Sequence, residues 1–306
     1  MRKLTIIFFV IAICAISALG QSQNPPTLRI VTEAPNLPSD LYYGNTKVKP
    51  VRLRPGTNTL ITIDDSDFFV QQQYVDFLSR FPDQSGFNYW NNQITGCGSD
   101  ANCVLAARVN TSGAFFLSTE FQQTGYFVYR FYKASFSRLP RYAELMPDTR
   151  QVGNGVVVLQ PGWQATLEAN KVAYANAWVN RADFQAQYGA MSNAQYVDAL
   201  IANTGAAFNQ ADRDALVNGL GGGTETRATA LRKIVEYNAF AQKEFSPAFV
   251  LMQYFGYLRR NPDDAPDTDF SGYNFWLNKL NQFNGDFTKA QMVQAFIQST
   301  EYRNRF

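Results

Sequence analysis

The chain has 306 residues, of which 46% are hydrophobic and 15% aromatic, so it can bury a packed core and is not disordered over most of its length. It has no histidine, which excludes Ser-His-Asp and Cys-His catalysis and nearly every zinc or iron site. The formal net charge is only +2. A chain so close to neutral argues against a nucleic-acid binder and against an electrostatic membrane-surface protein.

The N-terminal segment has the residue order of a secretory signal peptide. Two basic residues precede an apolar run from Leu4 to Leu19 that ends in small residues. This run is shorter than the roughly 20 residues that a bilayer span requires. We therefore predict a signal peptide at 1–20, cleaved after Gly20, rather than an uncleaved anchor. The mature protein is then secreted, periplasmic or at the cell surface, and has no transmembrane span.

Residues 21–66 are rich in proline and asparagine and are typical of a linker. One run near the end of this segment, "TLITID" at Thr59–Asp64, has the composition of a strand. We therefore expect a short extended segment before the first helix.

The remainder of the chain repeats one helical pattern four times. Four tyrosines align at spacings of 58, 64 and 58 residues: Tyr74, Tyr132, Tyr196 and Tyr254. Around the first of them, Val70, Phe77 and Leu78 complete one face of an amphipathic helix. In three copies an arginine and then a proline follow the tyrosine, which suits a helix C-terminus. These residues are Arg80 and Pro82, Arg138 and Pro140, and Arg260 and Pro262.

Each copy ends on an acid that precedes an aromatic residue, and these acids are Glu120, Asp183, Glu244 and Glu301. The pattern predicts an all-α fold, a tandem array of four helical repeat units with a short extended N-terminal segment. The units are unit 1 (67–125), unit 2 (126–187), unit 3 (188–246) and unit 4 (247–306). Units 2 and 3 are divergent, and in unit 2 the run Gly155–Leu159 has a composition that favours an extended conformation.

Unit 1 contains "FVQQQYVDFLSRFPDQSGFNYWNN" at Phe69–Asn92 and "FFLSTEF" at Phe115–Phe121. These stretches resemble the bacterial family known as domain of unknown function 4214. The pattern of that family is an aromatic–Tyr helix, an arginine, a Pro-Asp turn, Gly-x-x-x-Trp and a closing Ser-x-Glu-aromatic. Units 1 and 4 match all of it, and units 2 and 3 match in part. The resemblance implies a helical module of exported or surface-associated bacterial proteins, often in tandem, and it implies no activity.

The acidic insert of unit 4, "DDAPDTDFSG", is the candidate metal site. The candidate calcium ligands are Asp263, Asp267, Asp269 and Ser271. Three of them alternate as in the first half of an EF-hand loop, with Gly272 at the turn position, but Asn278 stands where a bidentate glutamate is needed. The alternative is an Asp-rich turn that caps the next helix. Unit 1 favours this alternative, because its "PDQSG" reaches the same helix with Asp83 alone. No other cofactor is expected.

The two cysteines outside the predicted signal peptide, Cys97 and Cys103, lie in the short segment "CGSDANC". An exported protein meets oxidising conditions, so we predict a disulfide between them. Their spacing does not fit a Cys-x-x-Cys metal or redox site.

The recurring acids invite comparison with the carboxylate pair of a glycosidase. A residue repeated in every unit is rarely catalytic in each, and "STE" at Ser118–Glu120 and Ser299–Glu301 is typical of a helix N-cap with an acid in the first turn. We therefore predict a structural ion pair within each unit. The predicted pairs are Arg80 with Glu120, Arg138 with Asp183, and Arg260 with Glu301.

Two further patterns invite a binding function. The glycine-rich "GLGGGTETR" at Gly219–Arg227 lacks the ending of a phosphate loop and is predicted to be an inter-helix loop. Most aromatic residues are expected in the core. Tyr42, Tyr43 and Tyr273 are candidates for an exposed subset that stacks on sugars.

These observations favour a non-enzymatic, exported structural or adhesive interaction module of the bacterial cell surface. Its expected partner is a cell-surface protein or a polysaccharide, and not a nucleic acid. A carbohydrate- or matrix-binding module, calcium-assisted through unit 4, is the alternative. A carboxylate-based enzyme of the glycosidase type is the third interpretation.

Overall fold

The computed structural model describes residues 27–31, 40–49 and 51–306. The predicted signal peptide at 1–20 lies outside the described residues. The N-terminal part of the described chain forms a small antiparallel sheet of three strands in chain order. The strands are β1 (Leu28–Val31), β2 (Asp40–Tyr43) and β3 (Thr46–Val48). Leu28 lies opposite Tyr43, and Leu41 lies opposite Val48. The extended N-terminal segment is confirmed.

The prediction of a strand at Thr59–Asp64 is wrong. Leu60 makes a single antiparallel bridge with Leu53, and the residues after it are irregular. The reason is the side chain of Asp65, which accepts a hydrogen bond from the Thr62 backbone N–H at 2.7 Å. This turn ends the extended run and leads the chain into the first helix.

The rest of the described chain is helical, as predicted, with four helices in each unit. Unit 1 has α1 (Ser66–Leu78), α2 (Gln84–Thr95), α3 (Ala101–Leu117) and α4 (Thr119–Gln123). Unit 2 has α5 (Gly125–Phe136), α6 (Tyr142–Gly153), α7 (Trp163–Val179) and α8 (Ala182–Tyr188). Unit 3 has α9 (Asn193–Thr204), α10 (Gln210–Gly222), α11 (Arg227–Val235) and α12 (Asn238–Lys243). Unit 4 has α13 (Phe245–Gln253), which continues as a π-helical segment (Tyr254–Leu258), then α14 (Ser271–Gln282), α15 (Met292–Gln298) and α16 (Thr300–Arg303).

The first helix of units 1, 2 and 4 ends in the same way. Ser79, Ser137 and Arg259 each adopt a left-handed conformation, with φ of 55°, 54° and 54°. A left-handed residue at this point reverses the chain and stops the helix. The next residue in each case is the arginine of the repeat, so the same turn sets the position of that arginine.

The fourth helix of units 1 and 4 begins at the predicted cap. Ser118 accepts a hydrogen bond from the Phe121 N–H, and Ser299 accepts one from the Tyr302 N–H. The side chain of Asp83 caps α2 in the same manner, accepting from the Gly86 N–H at 2.9 Å. The "STE" sequences therefore act as helix starts.

The extended conformation expected for Gly155–Leu159 is wrong, because these residues form an irregular connection between α6 and α7. Gly155 and Leu159 both have a positive φ, which a strand does not allow. Val156 is buried, whereas Leu159 is 89% exposed. The glycine-rich stretch of unit 3 completes α10 and then connects it to α11, in agreement with an inter-helix role.

Unit 1 packs directly on unit 4, although they lie at opposite ends of the array. The contacting elements are the same in both units: α1 meets the π-helical segment after α13, and α3 meets α15. Phe77 and Tyr257, each three residues after an aligned tyrosine, bring their ring centroids within 5.3 Å. Units 2 and 3 pair alike, α5 with α9 and α7 with α11. Each pair thus resembles an isologous dimer, in which equivalent surfaces face each other.

A buried charge cluster closes the array. The Asp76 carboxylate in α1 is 1% exposed and pairs with Arg259 at 2.9 Å and with Arg305 at 2.8 Å. Both arginines belong to unit 4. A linear solenoid confines contacts to neighbouring repeats, whereas here the first repeat is bound to the last.

Units 2 and 3 also contact the other pair. The rings of Phe116 (unit 1), Tyr126 (unit 2) and Phe245, the first residue of α13, have centroids within 6.3 Å of one another. The Tyr129 hydroxyl, buried in α5, donates to Glu244 at 2.8 Å. The hydrophobic core is therefore continuous across the four units.

Candidate functional site

The aligned tyrosine has the same surroundings in units 1 and 4. Tyr74 and Tyr254 are buried, and the hydroxyl of each reaches the second helix of its unit. A Cβ at Gly86 would lie 2.1 Å from the Tyr74 hydroxyl, and a Cβ at Gly272 would lie 2.8 Å from the Tyr254 hydroxyl. Burial raises the pKa of Tyr74 to about 12 and that of Tyr254 to about 12. Both phenols are therefore neutral at physiological pH and are not general bases.

The arginine of the repeat covers this tyrosine and binds the closing acid. In unit 1 the Arg80 guanidinium lies 4.9 Å from the Tyr74 ring centroid and donates to both oxygens of Glu120, at 2.6 and 2.8 Å. In unit 4 Arg260 donates to Glu301 at 2.5 and 3.0 Å. The predicted pairs of these two units are confirmed. A bidentate pair of this kind fixes the geometry of both side chains.

The predicted pair of Arg138 with Asp183 is wrong. Arg138 donates instead to Glu144, at 2.8 and 2.7 Å. Glu144 is close because it lies in the first turn of α6, where it also accepts from the Arg141 N–H at 2.7 Å. Asp183 accepts from the Phe184 N–H.

The candidate calcium ligands do not converge on one centre. Asp263 accepts from Arg141 at 2.6 Å, and Asp267 accepts from Arg260 at 2.8 Å. Asp269 accepts from the backbone N–H of Ser271 at 2.8 Å, at the start of α14. Among residues 27–31, 40–49 and 51–306, no three His, Cys, Asp or Glu side chains are placed to hold a metal. Calcium binding stays a prediction, and the helix-capping alternative accounts for Asp269.

The predicted disulfide is present. The Sγ atoms of Cys97 and Cys103 are 2.06 Å apart, and their Cα atoms are 5.5 Å apart, within the usual range. The bond joins the end of α2 to the start of α3. It therefore constrains the helix that carries the exposed aromatic residues of unit 1.

The most distinctive surface feature is an exposed aromatic side chain at the same repeat position of units 1 and 4. Tyr89 in α2 is 57% exposed and Phe275 in α14 is 56% exposed. Each contacts the neighbouring tryptophan edge-on: Tyr89 and Trp90 have centroids 4.8 Å apart, and Phe275 and Trp276 have centroids 5.0 Å apart. We name these pairs the aromatic surface of unit 1 and the aromatic surface of unit 4.

Sequence reasoning missed these two surfaces. It proposed Tyr273 as an exposed residue, and this is wrong, because Tyr273 is 5% exposed and its hydroxyl donates to the Pro247 carbonyl. Tyr43, another candidate, is 50% exposed on β2. The signal was available in the repeat itself, since "GFNYW" and "GYNFW" both place an aromatic residue before the tryptophan.

A pocket of about 250 Å³ lies behind the aromatic surface of unit 1. Its walls include Trp90, Phe115 and Glu120, with Leu159 of the unit 2 connection at its rim. The same connection covers the acid, because the Val158 N–H lies 3.5 Å from a Glu120 oxygen. The Glu120 side chain is therefore only 8% exposed, against 36% for Glu301.

The closing acids of units 1 and 4 differ from the exposed rings in what they leave accessible. Glu120 and Glu301 have both oxygens bound by arginine, so neither is a free acid or base. Tyr89 and Phe275 are accessible and carry no charge. In the part of the chain that the structure describes, no helix has the length and hydropathy to span a bilayer.

Together, the four tandem four-helix units, two of which have a cluster of tyrosine, arginine and closing acid, define a helical-repeat protein. Residues 233–306, which include all of unit 4, match the model of the family described as Domain of unknown function (DUF4214). The resemblance noted in the sequence is therefore confirmed for this segment of the chain. No curated protein and no solved structure matches the chain.

Proposed function

We propose that this protein is an exported, non-enzymatic interaction module of the bacterial cell surface, and that it contacts its partner through the aromatic surfaces of units 1 and 4. The observation that carries the proposal is the exposure of Tyr89 and Phe275 at one repeat position. Aromatic side chains are enriched in interfaces because they give much contact area with few rotatable bonds. A rigid helical scaffold displaying such residues is suited to adhesion or assembly.

Three observations support a non-enzymatic role. The sequence has no histidine to act as a general base at neutral pH. The closing acids of units 1 and 4 are bound by arginines. The tyrosines beside them are held neutral by burial, which raises their pKa values.

The second candidate is a carbohydrate- or matrix-binding module. It is favoured by the aromatic residues on α2 and α14, whose rings lie beside exposed asparagines. Calcium, if bound at Asp267 and Asp269, would assist through unit 4, because α14 begins directly after these residues.

The test is co-sedimentation of the mature protein with cell envelopes of the source bacterium, with and without a calcium chelator. The double variant Tyr89→Ala/Phe275→Ala is expected to remain in the supernatant while the wild type pellets. The control is Phe81→Ala, which removes an aromatic residue that is 72% exposed elsewhere on the protein.

Equal pelleting of wild type and double variant would refute the assignment of these surfaces. Pelleting that is lost with the chelator and restored by calcium would support the calcium-assisted alternative. Turnover of an envelope polysaccharide by the purified protein would refute the non-enzymatic role.

A further inference from the structure

We infer that the aromatic surfaces of units 1 and 4 are two equivalent binding sites for one neutral polysaccharide chain. This inference rests on the proposed function and goes further, because it names the chemical class of the partner and the number of sites. Three observations support it: the residues beside the two rings, the small number of charged residues on α2 and α14, and the packing of unit 1 on unit 4.

The exposed faces of α2 and α14 correspond residue by residue. Tyr89 corresponds to Phe275, and each is flanked by an exposed asparagine one position before it and another three positions after it. These asparagines are Asn88 and Asn92 in α2, and Asn274 and Asn278 in α14. The two asparagines of each helix lie four positions apart, and the ring lies three positions before the second of them, so these side chains share one side of the helix surface. Each unit thus displays one aromatic ring beside two amides.

The amides are available to a ligand. The side chains of Asn92, Asn274 and Asn278 make no hydrogen bond to any described residue, and Asn88 only accepts one from Gln84. An amide offers two donors and one acceptor carbonyl, which matches the hydroxyl groups of a sugar. The neighbouring ring offers an apolar face to the C–H side of the same sugar.

The charge of these helices indicates a neutral ligand. α2, from Gln84 to Thr95, has no acidic or basic residue. α14 has Lys279 alone, and its ammonium lies 5.2 Å from the centroid of the Trp276 ring and 6.0 Å from that of Phe275. Recognition of an acidic polymer depends on arginine and lysine donors. The repeat arginines of the same two units, Arg80 and Arg260, are bound to glutamates.

The two sites are held at a fixed separation. α1 carries α2, α13 carries α14, and the pairing of unit 1 with unit 4 joins these helices into one body. A polymer with a repeating unit presents the same ligand many times, so a chain long enough to span the separation of the two sites can occupy both. Binding at the second site is then intramolecular, and the affinity for the polymer exceeds that of a single site by ~100-fold or more.

The test uses the full mature chain and polysaccharide from the source bacterium's envelope, separated by anion exchange into a neutral and an acidic fraction. Short oligosaccharides from the neutral fraction are titrated calorimetrically, and we expect two per protein chain. The variants Tyr89→Ala and Phe275→Ala should each bind one oligosaccharide per protein chain. Each single variant should bind the intact neutral polymer ~100-fold less tightly than the wild type.

Phe81→Ala serves as the control and should keep two sites and full affinity. All substituted side chains are at least half exposed, and circular dichroism checks that the variants fold. Binding to the acidic fraction alone, or no binding to the neutral fraction, would overturn the sugar assignment. A stoichiometry of one in the wild type would overturn the two-site arrangement.

The two proposals fail in different ways. If Tyr89→Ala/Phe275→Ala stops envelope pelleting but the neutral fraction does not bind, the surfaces are functional and the partner is not a neutral sugar. If the double variant still pellets, the surfaces themselves are not the contact.

Discussion

Arg80 and Arg138 occupy the same place in the repeat but differ in burial. The side chains of Arg80 and Glu120 are 19% and 8% exposed, whereas those of Arg138 and Glu144 are 43% and 34% exposed. An ion pair shielded from water depends on both partners, because removal of one leaves the other charged and desolvated. A solvated pair contributes little.

We therefore expect Arg80→Met to lower the free energy of unfolding by about 3 kcal/mol. Arg138→Met, the matched control, should lower it by less than about 1 kcal/mol. Methionine retains part of the apolar stem over the tyrosine ring, so the comparison isolates the charge. Urea denaturation measures both variants, and equal losses would contradict the argument.

Buried tyrosines set the alkaline limit of stability. Burial raises the pKa of Tyr74, Tyr188 and Tyr254 to about 12, above the ordinary value near 10. A pKa that is higher in the folded state than in the unfolded state gives stability that is complete below pH ~10 and is lost as the pH rises through ~12.

We expect these phenols to ionise only as the helices unfold, within that alkaline range. Tyrosinate absorbance and far-ultraviolet circular dichroism, followed in one titration, should change together for the buried fraction. Full ionisation near pH 10 with intact helical signal would contradict this expectation.

At the scale of the elements, the first and second helices of unit 1 approach closely because Gly86 has no side chain. The hydroxyl of Tyr74 occupies the space that a Cβ would fill. Tyr74 is packed against Phe115 at 4.7 Å and cannot swing aside freely.

Gly86→Ala is therefore expected to destabilise the protein by about 1–3 kcal/mol, despite the better helix propensity of alanine. Gly221→Ala in α10 is the control, because a Cβ there meets nothing within 4 Å. It should stabilise by about 0.5–1 kcal/mol. Thermal unfolding of both variants distinguishes the steric effect from the propensity effect. Similar changes in the unfolding temperature of the two variants would contradict a steric clash at Gly86.

Much at this scale could be predicted from the sequence, because the signals are local. The apolar period around Tyr74 predicted α1, and the "STE" sequences predicted two helix starts. The failures came from contacts that spacing does not encode. Arg138 finds Glu144 because the next helix begins beside it, and the Asp65 turn prevents a strand where the composition favours one.

At the scale of the whole molecule, the sequence indicated four units but not their arrangement. The contact between Gln73 and Tyr257 joins residues 184 positions apart, and no periodicity reports it. The exposed Tyr89 and Phe275 escaped notice for a related reason, since a helical pattern identifies the buried side more readily than any distinctive residue on the exposed side.

The packing of unit 1 on unit 4 predicts how the protein responds to truncation. Removal of 247–306 would expose the side of α1 and α3 that faces unit 4, including Phe77, which is fully buried. We expect this variant to lose more than a quarter of its helical circular dichroism and to aggregate in size-exclusion chromatography. An open array would keep three folded units and remain monomeric.

The control is removal of 21–48, which takes away the small sheet. Its strands β1, β2 and β3 pair with one another, so the helical signal and the monomeric state should persist. Equal behaviour of the two truncations would contradict a special role for the pairing of units 1 and 4.

The closing contacts also bring the carboxyl end of the chain to the beginning of the helical region. The ring of Phe306 lies edge-on to that of Phe68 at 5.4 Å, and the Lys49 ammonium donates to the Phe306 carbonyl at 3.3 Å. A short flexible linker could therefore join residue 306 to α1, and the chain could be opened instead at the exposed turn between Gly189 and Ala190. Every helix pairing would survive this circular permutation, so the covalent order of the four units is one of several routes through the same fold.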